Sequence, residues 1–174
     1  MSKPKNNFFD LLQLPPNLKI DYGKLKKNYF NLLKDNSADG TKDKDQQKKT
    51  RELIKTAYET LKDRATRIEH LLDIWGLEVA NDNKPPLSVA PLARLVQTLL
   101  ARQDKSKTAI DALKKVHKDV ISEFSTISIE LDRLESAWDN SDQQDKDILK
   151  RLKRKMAAFC YIKDIEQNIR TVIQ

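Results

Sequence analysis

Few side chains in this 174-residue chain could do chemistry near neutral pH: two histidines, His70 and His117, and one cysteine, Cys160. A general acid or base must stand within hydrogen-bond reach of a nucleophile or a transferable proton. His117 falls within a run of apolar positions and His70 adjoins Leu71-Leu72, so both histidines read as structural. One cysteine and two separated histidines do not supply the tetrahedral ligand set of zinc. A single cysteine also excludes an intrachain disulfide. Asp39, Asp43 and Asp45 alternate as calcium ligands do. No bidentate glutamate closes the twelve-residue calcium-loop pattern, and Lys42 and Lys44 interleave, so this stretch reads as a solvated loop. No phosphate loop of the GxxxxGK type occurs. Arg151, Lys153, Arg154 and Lys155 form a basic run suited to phosphates, but without neighbouring aromatics for base stacking. It reads as solvated surface, and Met156 with Phe159 as packed seam. No catalytic residue, metal or cofactor is expected.

The elements that would position these groups are helices. Only three glycines occur, at 23, 40 and 76, in a chain rich in Leu, Ile, Lys and Gln, good helix formers for the most part. Phe8, Phe9, Leu11, Leu12 and Leu14 make a short apolar cluster, stopped by Pro15-Pro16 because residues before proline avoid the α region. Asp21 is a plausible N-cap. Leu25, Tyr29, Leu32 and Leu33 then form one buried stripe, and the helix is expected to end near Asp35. A polar loop is expected from Asn36 to Asp45. Next comes a helix over 46–62 with Leu53, Ile54, Ala57, Tyr58 and Leu61 inward. Another, about 64–75, carries Ile68, Leu71, Leu72 and Trp75 inward and ends at Gly76, which can take the left-handed conformation.

Residues 77–90, with Asn81-Asp82-Asn83-Lys84-Pro85-Pro86, read as a linker. Pro91 opens a helix bearing Leu92, Leu95, Val96, Leu99 and Leu100. After a turn near Gln103-Asp104-Lys105, a long helix over 106–136 repeats apolar residues every three or four positions: Ile110, Leu113, Val116, Val120, Phe124, Ile127, Leu131 and Leu134. Trp138-Asp139-Asn140 reads as a turn, and Ser141 with Gln144 as a capping box. The last helix runs to about 172. The expected fold is all-α: a helical hairpin in 1–76, the linker 77–90, and a three-helix bundle in 91–174.

The net charge is +7, and residues 1–76 carry 16 Lys/Arg against 11 Asp/Glu. Such a half attracts anionic partners, including nucleic acid, an anionic membrane or an acidic protein face. No apolar run approaches the ~20 residues of a membrane span. Met1 to Asn7 leads into Phe8-Phe9 without a signal-peptide core, so a cytoplasmic location is expected.

Several stretches resemble the HscB-type J-domain co-chaperones of iron–sulfur cluster assembly. Phe9-Asp10-Leu11-Leu12-Gln13-Leu14-Pro15 is similar to that family's Phe-x-Leu-x-x-Leu-Pro. Ile54-Lys55-Thr56-Ala57-Tyr58-Glu59-Thr60-Leu61 resembles its Ile-Asn-x-Ala-aromatic-x-Thr-Leu helix. Arg67-Ile68-Glu69-His70-Leu71-Leu72 with Trp75-Gly76 resembles its Arg-Ala-x-Tyr-Leu-Leu…Gly segment. The resemblance implies a J-domain-like hairpin joined to a scaffold-binding bundle. It implies a two-ended adaptor that binds an IscU-like iron–sulfur scaffold and presents it to a DnaK/HscA-class ATPase chaperone.

By that resemblance, Lys24, Lys26, Lys27, Lys34, Ser37, Ala38 and Asp39 would meet the chaperone. Leu92, Ala93, Val96, Gln97, Leu100, Asp104 and Ala158 would meet the scaffold. The family's His-Pro-Asp motif is here Ser37-Ala38-Asp39, and its preceding tyrosine is Asn36. Neither the titratable ring nor the φ-fixing proline remains. The expectation is a J fold with weak or absent ATPase stimulation. The alternatives are a helical interaction scaffold without chaperone coupling and a basic nucleic-acid-binding helical protein. Nucleic acid ranks below protein partners, and no membrane partner is expected.

Overall fold

The computed structural model describes residues 7–38, 43–77, 85–102 and 106–173. Every regular element among them is an α-helix: α1 (Phe8–Leu11), α2 (Tyr22–Ala38), α3 (Lys44–Lys62), α4 (Arg64–Ile74), α5 (Ala90–Ala101), α6 (Lys107–Asp139) and α7 (Lys146–Ile173). The chain divides into two compact units. One comprises Met1–Glu78 with Glu135–Leu149, the other Val79–Leu134 with Lys150–Gln174. Among the described residues, no helix is long and apolar enough to cross a membrane.

In the first unit, the Asn7 side chain accepts from Phe9 N and starts α1. Gln13 turns the chain out at φ 53°, while Leu14 N bonds Phe9 O and Gln13 N bonds Asp10 O. The same two-bond closure ends α4. Leu77 N bonds Leu72 O, Gly76 N bonds Asp73 O, and Gly76 sits at φ +68°. This is the Schellman arrangement that the glycine signalled. Asp21 caps α2 as expected, its Oδ1 3.0 Å from Lys24 N. Asp63 ends α3 and caps α4 by accepting from Thr66 N at 3.0 Å.

The core of this unit joins Phe9, Leu12, Leu14, Leu18, Leu25, Ile54, Ala57, Leu61, Ile68, Leu71 and Leu72. Each large side chain removed from water contributes roughly 1.5–3 kcal/mol. Tyr29 stacks on Tyr58 with centroids 4.3 Å apart, and Asn36 Nδ2 donates to Gln47 O at 3.0 Å. These two contacts clasp α2 to α3.

Four local expectations need correction. First, α2 does not stop at Asp35 but runs through Asn36, Ser37 and Ala38. The Ser37 hydroxyl donates to Leu33 O at 2.9 Å, a bond made along the helix rather than one that turns the chain out of it. Second, Trp138 and Asp139 are the last residues of α6 rather than a turn. Third, α7 is capped by Asp145, whose Oδ1 accepts from Asp147 N at 2.8 Å and Ile148 N at 3.1 Å. Ser141 instead closes the preceding turn, donating to Trp138 O and accepting from Gln143 N. Fourth, Trp75 is 38% exposed, because it is the C-cap residue that ends α4 and has left the helix's inner face. Its ring meets Trp138 edge-on at 6.1 Å.

In the second unit, α6 and α7 run antiparallel. Glu130 pairs with Lys155, Phe124 with Phe159 at 4.9 Å between centroids, and His117 with Glu166 at 3.0 Å. Residue numbers rise on one helix as they fall on the other. Leu113, Val116, Val120, Ile127, Leu131, Leu152, Met156, Ile162, Ile165 and Ile169 fill the seam.

His117 stands at the margin of that seam as a polar partner rather than within it. Glu166 is held below its ordinary value of 4.5, chiefly by the His117 hydrogen bond; partial burial opposes this, and Arg170 adds to it. A carboxyl whose pKa is lowered on folding stabilises above its unfolded pKa, and that contribution fades as pH falls through the lowered value. Wild type is therefore expected to lose stability relative to Glu166→Gln as pH drops below 4.5. Urea midpoints measured for both proteins from neutral to acidic pH check this; parallel curves would contradict it.

Candidate functional site

The outward face of α2 is the most distinctive surface of the first unit. The side opposite Leu25, Tyr29 and Leu32 carries Lys26, Lys27 and Lys34, all exposed. At their centre is Phe30, 55% exposed. Tyr22 precedes Lys26 by one turn and is equally exposed. Lys24 is exposed on the flank. Three lysines around a solvated aromatic fit an acidic protein surface that also offers apolar contact. The sequence reading found the lysines and missed Phe30. Its signal was its place one residue beyond Tyr29, off the buried spacing of Leu25, Tyr29 and Leu32.

At the C-terminal end of this face stands Ser37, exposed. Its hydroxyl accepts from Arg51 Nη2 of α3 at 3.0 Å, so a further cation borders the face. Ala38 is the last residue of α2. Asp39 lies outside the described residues. Lys34, Ser37 and Arg51 thus come together on one end of the hairpin. None is arranged for proton transfer, and no metal-ligating cluster occurs among the described residues.

A shallow groove on α3 and α4 is lined by Glu52, Lys55, Thr56, Glu59, Thr60, Asp63 and Thr66. Thr56 and Thr66 donate to the carbonyls of Glu52 and Thr60, so those hydroxyls are spent on the helices themselves.

The second set of candidate residues divides. Ala93, Val96 and Ala158 are buried to within 1% of full occlusion. They form the contact of α5 with the rest of its own unit and offer no surface to a partner. Leu92 and Leu100 are half-buried and Gln97 is exposed. Gln97 Nε2 donates to Tyr161 Oη of α7 at 3.1 Å. Asp104 lies outside the described residues. The residue this reading missed is Leu95, 46% exposed. It lies between Leu92 and Leu99 on one flank of α5, and the three make an apolar edge. A helical wheel of α5 shows this flank once Ala93 and Val96 are recognised as the inner face.

No family model matches the chain. Its fold is that of a J-type hairpin with a helical bundle, similar to the crystal structure of human co-chaperone protein HscB. The TM-score is 0.64 at 21% identity, over 98% of this chain and 83% of that one. The all-α expectation and the likeness to an HscB-type fold are thus confirmed. At this identity the likeness speaks for the fold.

Proposed function

We propose that the protein is an HscB-like adaptor of iron–sulfur cluster assembly, acting by binding rather than by catalysis. Its first unit would dock a DnaK/HscA-class ATPase chaperone through the cationic face of α2. Its second unit would hold an IscU-like scaffold through the apolar edge of α5. The observation that supports this reading is the cationic face of α2, Lys26, Lys27 and Lys34 around exposed Phe30, on an HscB-like fold.

ATPase stimulation is expected to be weak or absent. Ser37 and Ala38 are committed to the last turn of α2. Ser37 is tied to Leu33 and Arg51, and neither residue supplies a ring or a proline-fixed turn.

A single-turnover ATPase assay with chaperone and scaffold tests this. We expect less than about twofold stimulation, under 0.4 kcal/mol on the barrier. Scaffold capture should persist and weaken several-fold in Leu95→Lys. Full stimulation would overturn the account of Ser37 and Ala38, and failure to capture the scaffold would overturn the adaptor reading. The Arg51–Ser37 tie supports a second reading, a scaffold-holding protein with no chaperone partner. Absence of any chaperone binding, together with scaffold capture, would favour it.

A further inference from the structure

The α6 helix carries a second surface that the adaptor reading does not use. Between Asp119 and Asp132 its exposed residues are Ile121, Ser122, Ser125, Thr126 and Ile129. None is charged, in a chain that is 34% charged. Ile121 and Ile129 are 46% and 52% exposed. The hydroxyls of Ser125 and Thr126 donate to Ile121 O and Ser122 O, each at 3.0 Å. Those two hydroxyls are satisfied within the helix, so covering them strands no donor.

The strip is symmetric about Ser125. Ile121 and Ile129 lie one turn to either side, and beyond them come Lys118 and Asp132, both exposed, at equal and opposite separations. A two-fold axis through Ser125 of an antiparallel helix pair would set Ile121 of each copy against Ile129 of the other. It would set Lys118 of each against Asp132 of the other. An isologous contact needs this kind of self-complementarity. A small residue at the crossing lets the helices approach closely. We infer that this face of α6 binds a second copy of the same chain, antiparallel, about Ser125.

The chain's +7 charge opposes association elsewhere on the surface, and the uncharged strip with its opposite-sign ends is where that opposition is least. So few residues bury less than the roughly 1,200–2,000 Å² of a standard stable interface. The dimer is therefore of the weak class, formed at high protein concentration.

Sedimentation velocity of the full chain across a wide concentration range, at low salt, reads this directly. The weight-average sedimentation coefficient should rise with concentration. Lys118→Asp and Asp132→Lys should each weaken the dimer about tenfold, and the double exchange should restore it. Ile121→Lys should abolish it, with helix content unchanged by circular dichroism. In a Cys160→Ala background, Ser125→Cys should cross-link to itself under mild oxidation faster than Lys115→Cys. A chain that stays monomeric throughout would overturn the inference. So would a charge exchange that fails to rescue, or equal cross-linking at both positions.

Discussion

Trp138→Ala is expected to destabilise the protein by about 3–5 kcal/mol, the range for truncating a large buried aromatic. The side chain has no exposed surface. Its indole Nε1 donates to Pro16 O at 2.9 Å, and its ring receives Trp75 edge-on. Alanine would leave a cavity too large to close without moving the Pro15-Pro16 segment. It would also leave the Pro16 carbonyl without that donor, a further cost of about 1–3 kcal/mol where the group stays dry. Urea unfolding followed by circular dichroism at two protein concentrations measures the loss. Trp138→Phe separates the terms, because it keeps most of the volume and removes only the donor, and it should cost less than half as much. A loss below about 1 kcal/mol in the alanine variant would show that the site collapses and that Trp138 does not anchor the unit.

Neighbouring residues support the same segment. Asp139 accepts from Leu18 N at 2.6 Å and Lys19 N at 2.7 Å. Lys19 Nζ reaches Ser136 Oγ, and Arg64 pairs with the buried Glu135 at 2.6 Å. The end of α6 therefore completes the packing around the loop between α1 and α2. A fragment limited to residues 1–76 would lack Trp138, Asp139 and Glu135 together.

What the sequence disclosed and what it concealed divide along the range of the interactions involved. The stripes Leu25–Tyr29–Leu32 and Ile54–Ala57–Leu61 were readable because burial of one helical face imposes a period near 3.6. Gly76 was readable because a positive φ at a helix end favours glycine. Trp138 was not, because Asp139-Asn140 after it carries a turn signal and its partner Pro16 is 122 positions away. Asp139 looks like a turn former and is in fact an acceptor for two distant backbone amides. The end of α2 was misplaced for a local reason. Asn36 and Ser37 are turn-prone, yet one side chain bonds Gln47 O across the hairpin and the other bonds Leu33 O along the helix. The candidate docking face was half legible: lysines signal a solvated side, but an exposed Phe30 beside a buried Leu25 requires the helix register. On α5, residue type alone could not separate Val96, which is core, from Leu95, which is not. All five aliphatic positions of that helix are compatible with either role until its neighbours are placed.

Arg67→Met is expected to cost about 2–4 kcal/mol, for a reason opposite to the Trp138 case: the space is filled and the hydrogen bonds are lost. Arg67 is 4% exposed. Its Nε donates to Leu18 O at 2.8 Å, and its Nη1 to Leu61 O at 2.6 Å, with Lys62 O at 3.5 Å. Leu61 and Lys62 close α3, where carbonyls lack intrahelical partners and the helix dipole favours a cation. One guanidinium thus satisfies the end of α3 and fixes the carbonyl at Leu18, from which the chain turns into α2. Methionine retains the apolar stem and strands those carbonyls. Arg67→Lys should cost less than methionine but more than a surface exchange, since an ammonium on a flexible stem cannot span both acceptors in the fork geometry. Equilibrium unfolding ranks the three proteins. Amide exchange at the last turn of α3 should speed up in both variants before the rest of the unit is affected. Because Leu18 leads into α2, chaperone binding through Lys26, Lys27 and Phe30 should weaken in parallel with that local opening. Equal stability of Arg67→Met and wild type would mean that water reaches Leu61 O and Leu18 O, and that the buried cation is not what holds α3, α4 and the approach to α2 together.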